Sequence, residues 1–451
     1  MEHKSYDEYK DSGVEWIGEI PEHWEVSKYK FVAKMLNGYA FSSDDYVEKG
    51  VPVLRIGDIE NNKNTDSLKK IPEEIAKELK DYEITKGDIL LALTGATIGK
   101  TSVFKSNKKV LLNQRVGILR SNNNLLQYYL KYIIKSNIFQ TNINYLAYGG
   151  AQENIGKNDI YNMSITKPST QEQHKIASFL DKKTANIDEI IEQKEALVDK
   201  LEKYKKSVIT EAVTKAKIGD KYLNQAGELV DEIEMKDSGV EWIGEIPEYS
   251  VIRKVKHLFE VINGGTPKTS KKEYWEGDLN WITPSDLNKD IKNIRESERK
   301  ISFKGLINSS TTLLPKESLI ISTRAPIGYV AVNINKTTTN QGCKSLVKTT
   351  NINIYYYYYY FKIIGKVLNY YGKGTTFTEL SGSDLKEVLI VDYDLSIQNK
   401  ISDYLDQKTT QINDLIQKTK ESIEKYKAYK KSLIYEAVTG KIDLRNYEVE
   451  I

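Results

Sequence analysis

Thirteen residues occur twice in this chain, letter for letter: residues 10–22 and 236–248 both read KDSGVEWIGEIPE. The copies lie about half of the 451-residue chain apart. At nearly the same interval, Tyr204-Lys205-Lys206-Ser207 leading to Glu211-Ala212-Val213-Thr214 returns as Tyr429-Lys430-Lys431-Ser432 leading to Glu436-Ala437-Val438-Thr439. A period this long marks a duplicated domain, not the short unit of a solenoid. Two similar halves in one chain suit a target that itself has two halves. Trp16 and Trp242, at matching places in the two copies, are expected to anchor the packing.

The length allows two to four domains. With 39% hydrophobic and 29% charged residues, the composition is that of a soluble globular protein. No apolar run approaches the ~20 residues of a membrane helix, and the first ten residues lack the apolar core of a secretory signal. Cys343 stands alone, and His3, His23, His174 and His257 have no zinc-ligand spacing. A reducing cytoplasm is therefore expected. A net charge of +3 does not by itself announce nucleic acid, so any such surface must come from local clustering.

Short apolar runs bounded by Gly, Asn and Lys, such as 51–56, 88–93, 280–282 and 318–322, read as strands. Residues 125–134 and 354–364 read as helices; for the latter, six consecutive tyrosines (355–360) are core and surface of a helix, not a base-stacking platform. The segment 173–215 has no Gly or Pro and keeps a heptad. One seam runs Leu180, Ile187, Lys194, Leu201, Val208; another runs Ile176, Lys183, Ile190, Leu197, Tyr204. The second half repeats them as Leu405, Ile412, Thr419, Tyr426, Leu433 and as Ile401, Lys408, Leu415, Ser422, Tyr429. Ile191, Val198, Ile416 and Ile423 widen the stripe to a third heptad position, leaving apolar surface for a partner protein. The fold expected is α+β: two strand-rich domains (1–171 and 220–396) joined by two long helices (172–219 and 397–440) packed as an antiparallel coiled coil, with a tail at 441–451. Forty helical residues make a rod of about 60 Å.

These features resemble the specificity subunit of type I restriction-modification systems. The second domain carries Gly264-Gly265-Thr266-Pro267, then 281–287 (WITPSDL), 322–328 (STRAPIG), Asn340-Gln341-Gly342 and Gly374-Thr375-Thr376-Phe377. The first carries a variant set: 38–43 (GYAFSS), Arg55-Ile56-Gly57-Asp58-Ile59, 94–99 (TGATIG) and Asn113-Gln114-Arg115. Each motif is weak alone; their order, twice, with two helical spacers, is specific. The resemblance implies reading a bipartite, asymmetric sequence on double-stranded DNA, one half-site per domain. It implies recruitment of two methyltransferase subunits through the helices, and of motor-nuclease subunits in the full complex. S-adenosylmethionine, ATP and Mg would then sit on those partners, with no cofactor, metal or catalytic residue here. Family members are thought to change the gap between half-sites by insertions near the end of the first helix, residues 209–216 here. Four residues added there are expected to lengthen the gap and leave both half-sites unchanged, which methylation mapping would read directly.

Polar, Gly-rich loops between strands are the natural readers. The candidates are Ser42, Ser43, Arg55, Thr94, Thr97, Lys100, Asn113, Gln114, Arg115, Gln152 and Asn154 in the first domain. In the second they are Thr266, Lys268, Thr269, Lys271, Lys272, Thr283, Ser285, Thr323, Arg324, Asn340, Gln341, Lys373, Thr375 and Thr376. Arg suits guanine and Asn or Gln suits adenine in the major groove, while Lys and Thr more often take phosphate. Any single one could equally be a turn or cap residue.

Three rival readings make different demands on the sequence. Residues 95–101 (GATIGKT) look like a phosphate-binding loop, but have three residues between the glycines where that motif needs four. A stand-alone DNA methyltransferase would need a glycine-rich cofactor loop and an Asn/Asp-Pro-Pro-aromatic loop for the flipped base; neither occurs. A helical scaffold without a DNA role is permitted by the repeats alone, and the salt dependence of DNA binding would separate it.

Overall fold

The computed structural model describes residues 4–60, 64–122, 126–148, 154–287, 291–324, 326–371 and 379–449. The duplicated stretch folds twice into the same β-hairpin, Tyr9–Asp11 with Glu19–Pro21 and Met235–Asp237 with Glu245–Pro247. In each, an Asp carboxylate accepts the Gly13 or Gly239 amide at 2.9 Å. Those glycines and Gly18 and Gly244 take φ near +70°, a left-handed conformation that explains why glycine recurs at these turns. The buried anchors are Ile17 and Ile20, and Ile243 and Ile246. Trp16 corrects the expectation: it is 46% exposed. Trp242 does pack, half-buried, with its ring 6.1 Å from that of Tyr360.

The chain forms two compact units, Met1–Glu195 with Glu421–Ile451, and Ala196–Lys420. Each long helix is therefore shared between units instead of standing as a separate spacer segment. In the first unit, β1 (Ala33–Asn37), β2 (Val51–Leu54), β3 (Ile89–Ala92), β4 (Thr101–Val103), β5 (Val110–Leu112) and β6 (Val116–Ser121) form the framework. The antiparallel sheet runs β1-β6-β3-β4, and a second small sheet is centred on the parallel pair β2–β5. Helix α1 (Gln127–Lys135) follows, then the long α2 (Thr170–Lys215).

The second unit repeats this scheme with β7 (Phe259–Asn263), β8 (Leu279–Ile282), β9 (Leu319–Ser322), β10 (Val330–Asn333), β11 (Thr338–Thr339) and β12 (Cys343–Lys348). Its sheet runs β7-β12-β9-β10 with an added strand, Asn293–Ile294, beside β10; β8 and β11 pair in parallel. Helix α3 (Ile354–Ile363) contains the tyrosine run, a helix as expected, but the expected division between core and surface is corrected: Tyr356 to Tyr360 are all buried and Tyr355 is half-buried, because the helix is enclosed on nearly every side. The long α4 (Leu395–Val438) closes the sequence of helices.

In both units, the second hydroxyl of this aromatic helix ties the domain to a helix end. The Tyr129 hydroxyl contacts Thr166 and donates to the Val438 carbonyl; that of Tyr356 donates to Val213 at 2.9 Å. One turn later Tyr132 donates to Asp181, and Tyr359 to Asp406. The segment 209–216 belongs to this buried framework, since Ile209, Ala212, Val213 and Ala216 lie in the core of the second unit. An insertion there has to leave that packing intact.

Within each unit the two long helices run antiparallel. In the first, Asp188 pairs with Lys430 at 2.6 Å, and further along α2 Glu195 meets Lys427, which lies earlier in α4. In the second, Glu202 meets Lys420 and Lys205 donates to Asn413 at 3.0 Å. The seam itself differs from the sequence expectation. Ile176, Leu180, Ile187, Ile401, Leu405, Ile412, Ile416, Ile423 and Leu433 are buried, and Ile190, Ile191, Val198 and Leu201 are half-buried. Leu197 and Leu415 are exposed, at 41% and 47%, with Tyr204 and Tyr429 beside them in the same heptad series. The third heptad position is thus part of the helix–helix contact, and the second series, buried at Ile176 and Ile401, turns outward at Leu197, Tyr204, Leu415 and Tyr429.

Candidate nucleic-acid interface

Loops scattered over some 80 residues of sequence meet at one turn in each unit. In the first, the turn between β5 and β6 is Asn113-Gln114-Arg115. The Asn113 amide donates to Leu54 at 3.0 Å, Gln114 to Tyr39 at 2.9 Å, and Leu93 to the Arg115 carbonyl at 3.0 Å. The 38–43, 55–58 and 94–100 loops are thereby laced to a single point by backbone hydrogen bonds. A side chain on Gly38 would lie 2.3 Å from the Asn113 carbonyl oxygen, so only glycine allows the approach.

The second unit builds the same junction around Asn340-Gln341-Gly342. Asn340 donates to Ile282 at 2.9 Å, Gly265 to Thr339 at 2.9 Å, and Thr323 to Gly342 at 2.8 Å. Gly264 approaches Asn340 more closely still, with 1.8 Å left for a Cβ. Rigid strands thus hold variable polar side chains at a shared surface, an arrangement suited to reading base edges.

The candidates divide by role. Gln114, Arg115, Lys100, Asn154, Lys268, Thr269, Lys271, Lys272, Ser285, Arg324 and Gln341 are exposed. Ser42 and Ser43 are also exposed, but Ser42 caps a short helical turn, its amide donating to Asp45 at 2.6 Å. The Arg55 guanidinium is held by Asp58 at 3.2 Å, and Lys100 by Glu60 at 2.9 Å. Asn113 and Asn340 turn their side-chain oxygens back to Arg115 and Gly342 backbone amides, at 3.3 and 3.0 Å. Thr283 donates to Asp286 at 2.7 Å and contacts the Ser285 hydroxyl. Thr266 donates to Gln341. Thr94 and Thr97 are half-buried. Thr323 is a correction: it is fully buried, with its hydroxyl on the Gly342 carbonyl, and supports the loop from inside. Gln152, Lys373, Thr375 and Thr376 lie outside the described residues.

Two side chains at these junctions escaped sequence reading. Tyr39 is exposed and stacks edge-on with Phe41 and Tyr82, at ring distances of 5.0 and 5.3 Å. Glu379 holds Arg324 at 3.1 Å; no motif flags it, although it follows the Gly374–Phe377 signature. The phosphate-loop look-alike folds as a single 3-10 turn, Gly95–Thr97, leading into strand β4. A phosphate loop would open a helix there instead. Among the described residues, no group of three or more His, Cys, Asp or Glu could hold a metal ion, and no helix is long and apolar enough to cross a membrane.

Comparison with known proteins follows this architecture. The model of the type I restriction modification DNA specificity domain matches twice, over residues 21–200 and 247–425. The MjaIX specificity subunit of Methanocaldococcus jannaschii, a type I restriction enzyme component, is 40% identical over 198 residues, 43% of this chain and 44% of that one. The MjaX specificity subunit of the same organism is 25% identical over 95% of this chain and 96% of its own length. So the alignment spans less than half of one relative and nearly all of the other. A chain from a type I R-M system, solved to describe complex assembly and conformational transition, superposes with a TM-score of 0.72 at 17% identity, covering 94% of this chain and 99% of that one. The HsdS subunit of Thermoanaerobacter tengcongensis gives 0.54 at 16% identity, over 94% of this chain and 98% of its own. At such identities these two likenesses concern the fold.

Proposed function

The chain belongs to the type I restriction modification DNA specificity family, and from that premise we propose that it reads a bipartite, asymmetric sequence on double-stranded DNA. Each unit takes one half-site, and the chain itself performs no catalysis. The observation that carries this reading is the duplicated junction around Asn113-Gln114-Arg115 and Asn340-Gln341-Gly342. It has the same backbone lacing in both units but different side chains on its loops. A shared scaffold with divergent tips gives two readers of different sequence.

Assembly belongs to the long helices. The outward series Leu197, Tyr204, Leu415 and Tyr429 offers apolar side chains that the helix pair leaves uncovered, where two methyltransferase subunits would dock. Motor-nuclease subunits would join the complete restriction complex. S-adenosylmethionine, ATP and Mg would be bound by these partners, in the cytoplasm.

The decisive experiment maps methylated bases in a host carrying this chain with its methyltransferase; the expected product is one gapped, asymmetric motif. DNA binding by that complex is expected to fall steeply with salt, by roughly 100-fold or more between about 50 and 200 mM, because released counterions accompany each phosphate contact. A flat salt response would return the chain to the scaffold class.

A further inference from the structure

We infer that Glu379 positions Arg324 as a guanine reader in the second unit. The inference rests on the DNA-reading proposal and adds a base identity and the pair of side chains that selects it. Arg324 follows strand β9 at the junction, and an isolated antiparallel bridge sets it against Glu379. The backbone on both sides is fixed, since the Leu380 amide donates to the Thr323 carbonyl at 2.9 Å and the Thr323 amide to Gly342 at 2.8 Å. The Glu379 carboxylate accepts the Arg324 Nε proton at 3.1 Å. Its other oxygen lies 3.9 Å from Nζ of Lys344, a lysine buried in β12.

Holding a guanidinium at Nε leaves its two terminal nitrogens as a fork. That fork matches the O6 and N7 acceptors on the major-groove edge of guanine, and a lysine cannot reproduce it. The carboxylate also discriminates between uses of the arginine. A phosphate contact gains from net positive charge, which a neighbouring carboxylate reduces. A base contact depends on orientation, which the same carboxylate supplies.

The first unit supports this assignment by contrast. There Thr94 and Asn154 stand at the corresponding places, bridged to each other, with the Ile155 amide on the Leu93 carbonyl at 2.9 Å. The junction's exposed arginine comes instead from the neighbouring turn, as Arg115, at the place of Gly342. Among the described residues Arg115 has no ion-pair partner, whereas Arg324 has Glu379. Of the exposed junction arginines, Arg115 in the first unit is unbraced and Arg324 in the second is braced across the junction by Glu379; the half-buried Arg55 of the first unit is held at Nε by Asp58, but from within its own turn, at 3.2 Å.

The test maps methylated bases for the assembled complex carrying wild type, Glu379→Gln, Glu379→Asp or Arg324→Lys, with thermal melting of each. The wild-type motif should contain a guanine at which Glu379→Gln reduces discrimination roughly tenfold, with the remaining positions unchanged and melting unaltered. Arg324→Lys should relax the same position, and Glu379→Asp should restore part of the preference. The inference is overturned if Glu379→Gln keeps full discrimination, or weakens methylation evenly at all sites, or if the two substitutions relax different positions. A wild-type complex that leaves no bipartite motif removes the DNA-reading proposal itself, which separates the two failures.

Discussion

Replacing Leu197 and Leu415 together by aspartate is expected to abolish co-purification of methyltransferase subunits while leaving the melting temperature of the isolated chain within about 3 °C. Both side chains are nearly half exposed on the long helices, in the series that faces away from the helix–helix contact. An exposed leucine contributes little to the fold, and surface substitutions usually stay within about 0.5 kcal/mol. At a docked interface the same two residues would be apolar anchors. Loss of each, with a charge left behind, would cost on the order of 2 kcal/mol, and two together about a thousandfold in affinity. The control is Ile191→Asp with Ile416→Asp. Ile416 is buried between the helices and Ile191 packs on the first unit's core, so an unpaired carboxylate there should destabilise the chain by several kcal/mol. If the Ile pair melts normally and blocks docking while the Leu pair does neither, the assignment of faces is reversed.

That contrast shows what the sequence could and could not reveal. The duplicated hairpin, the two long helices and the ordered loop motifs were legible because each has a local signature: paired glycines at left-handed turns, a gap-free heptad, and recurrent Asn-Gln turns. The face of each helix was not. Leu197 and Val198 are neighbours in sequence, about 100° apart on the helix, and both apolar, yet Leu197 is exposed and Val198 half-buried. Only the antiparallel partner decides which of them is covered. The reading loops were identified as a set for the same reason that single members were missed. Thr323 and Thr283 are alike in composition and context, yet one hydroxyl is buried on a carbonyl and the other is half-exposed beside Ser285. Glu379 was invisible because a lone acidic loop residue has no pattern, and its importance appears only with Arg324 beside it. Trp16 misled because identity between the two copies was taken as a sign of burial. The turn needs its glycines, and its isoleucines do the packing.

A polar node found in only one of the two units should make their stabilities separable. The Glu172 side chain, at the start of α2, is buried and accepts hydrogen bonds at one oxygen from the Trp24 indole at 3.1 Å, the Tyr6 hydroxyl at 3.2 Å and His23 at 2.8 Å. The other oxygen accepts from Ser169 at 2.8 Å. The second unit has Ser250 and Ile397 at the places of Trp24 and Glu172 and, among the described residues, no such node. Glu172→Ala would strand the buried donors of Trp24 and Tyr6. Removing one member of a buried charged network costs about 3–5 kcal/mol, or on the order of 10 °C for a unit of this size. Burial pushes the Glu172 pKa up, but the bonds from His23, Trp24 and Ser169 outweigh it, so the carboxyl sits below its ordinary range. A depressed carboxylate stabilises the fold above its unfolded pKa, and the contribution fades as pH falls through the folded one. Wild-type hydrogen exchange should therefore accelerate in acid around Tyr6–Trp24 and the first turns of α2 before it does around Tyr356 and Tyr393. Glu172→Gln should already exchange faster at neutral pH and respond less to acid. Equal acceleration in both units on Glu172→Ala would show that this node does not hold the first unit by itself.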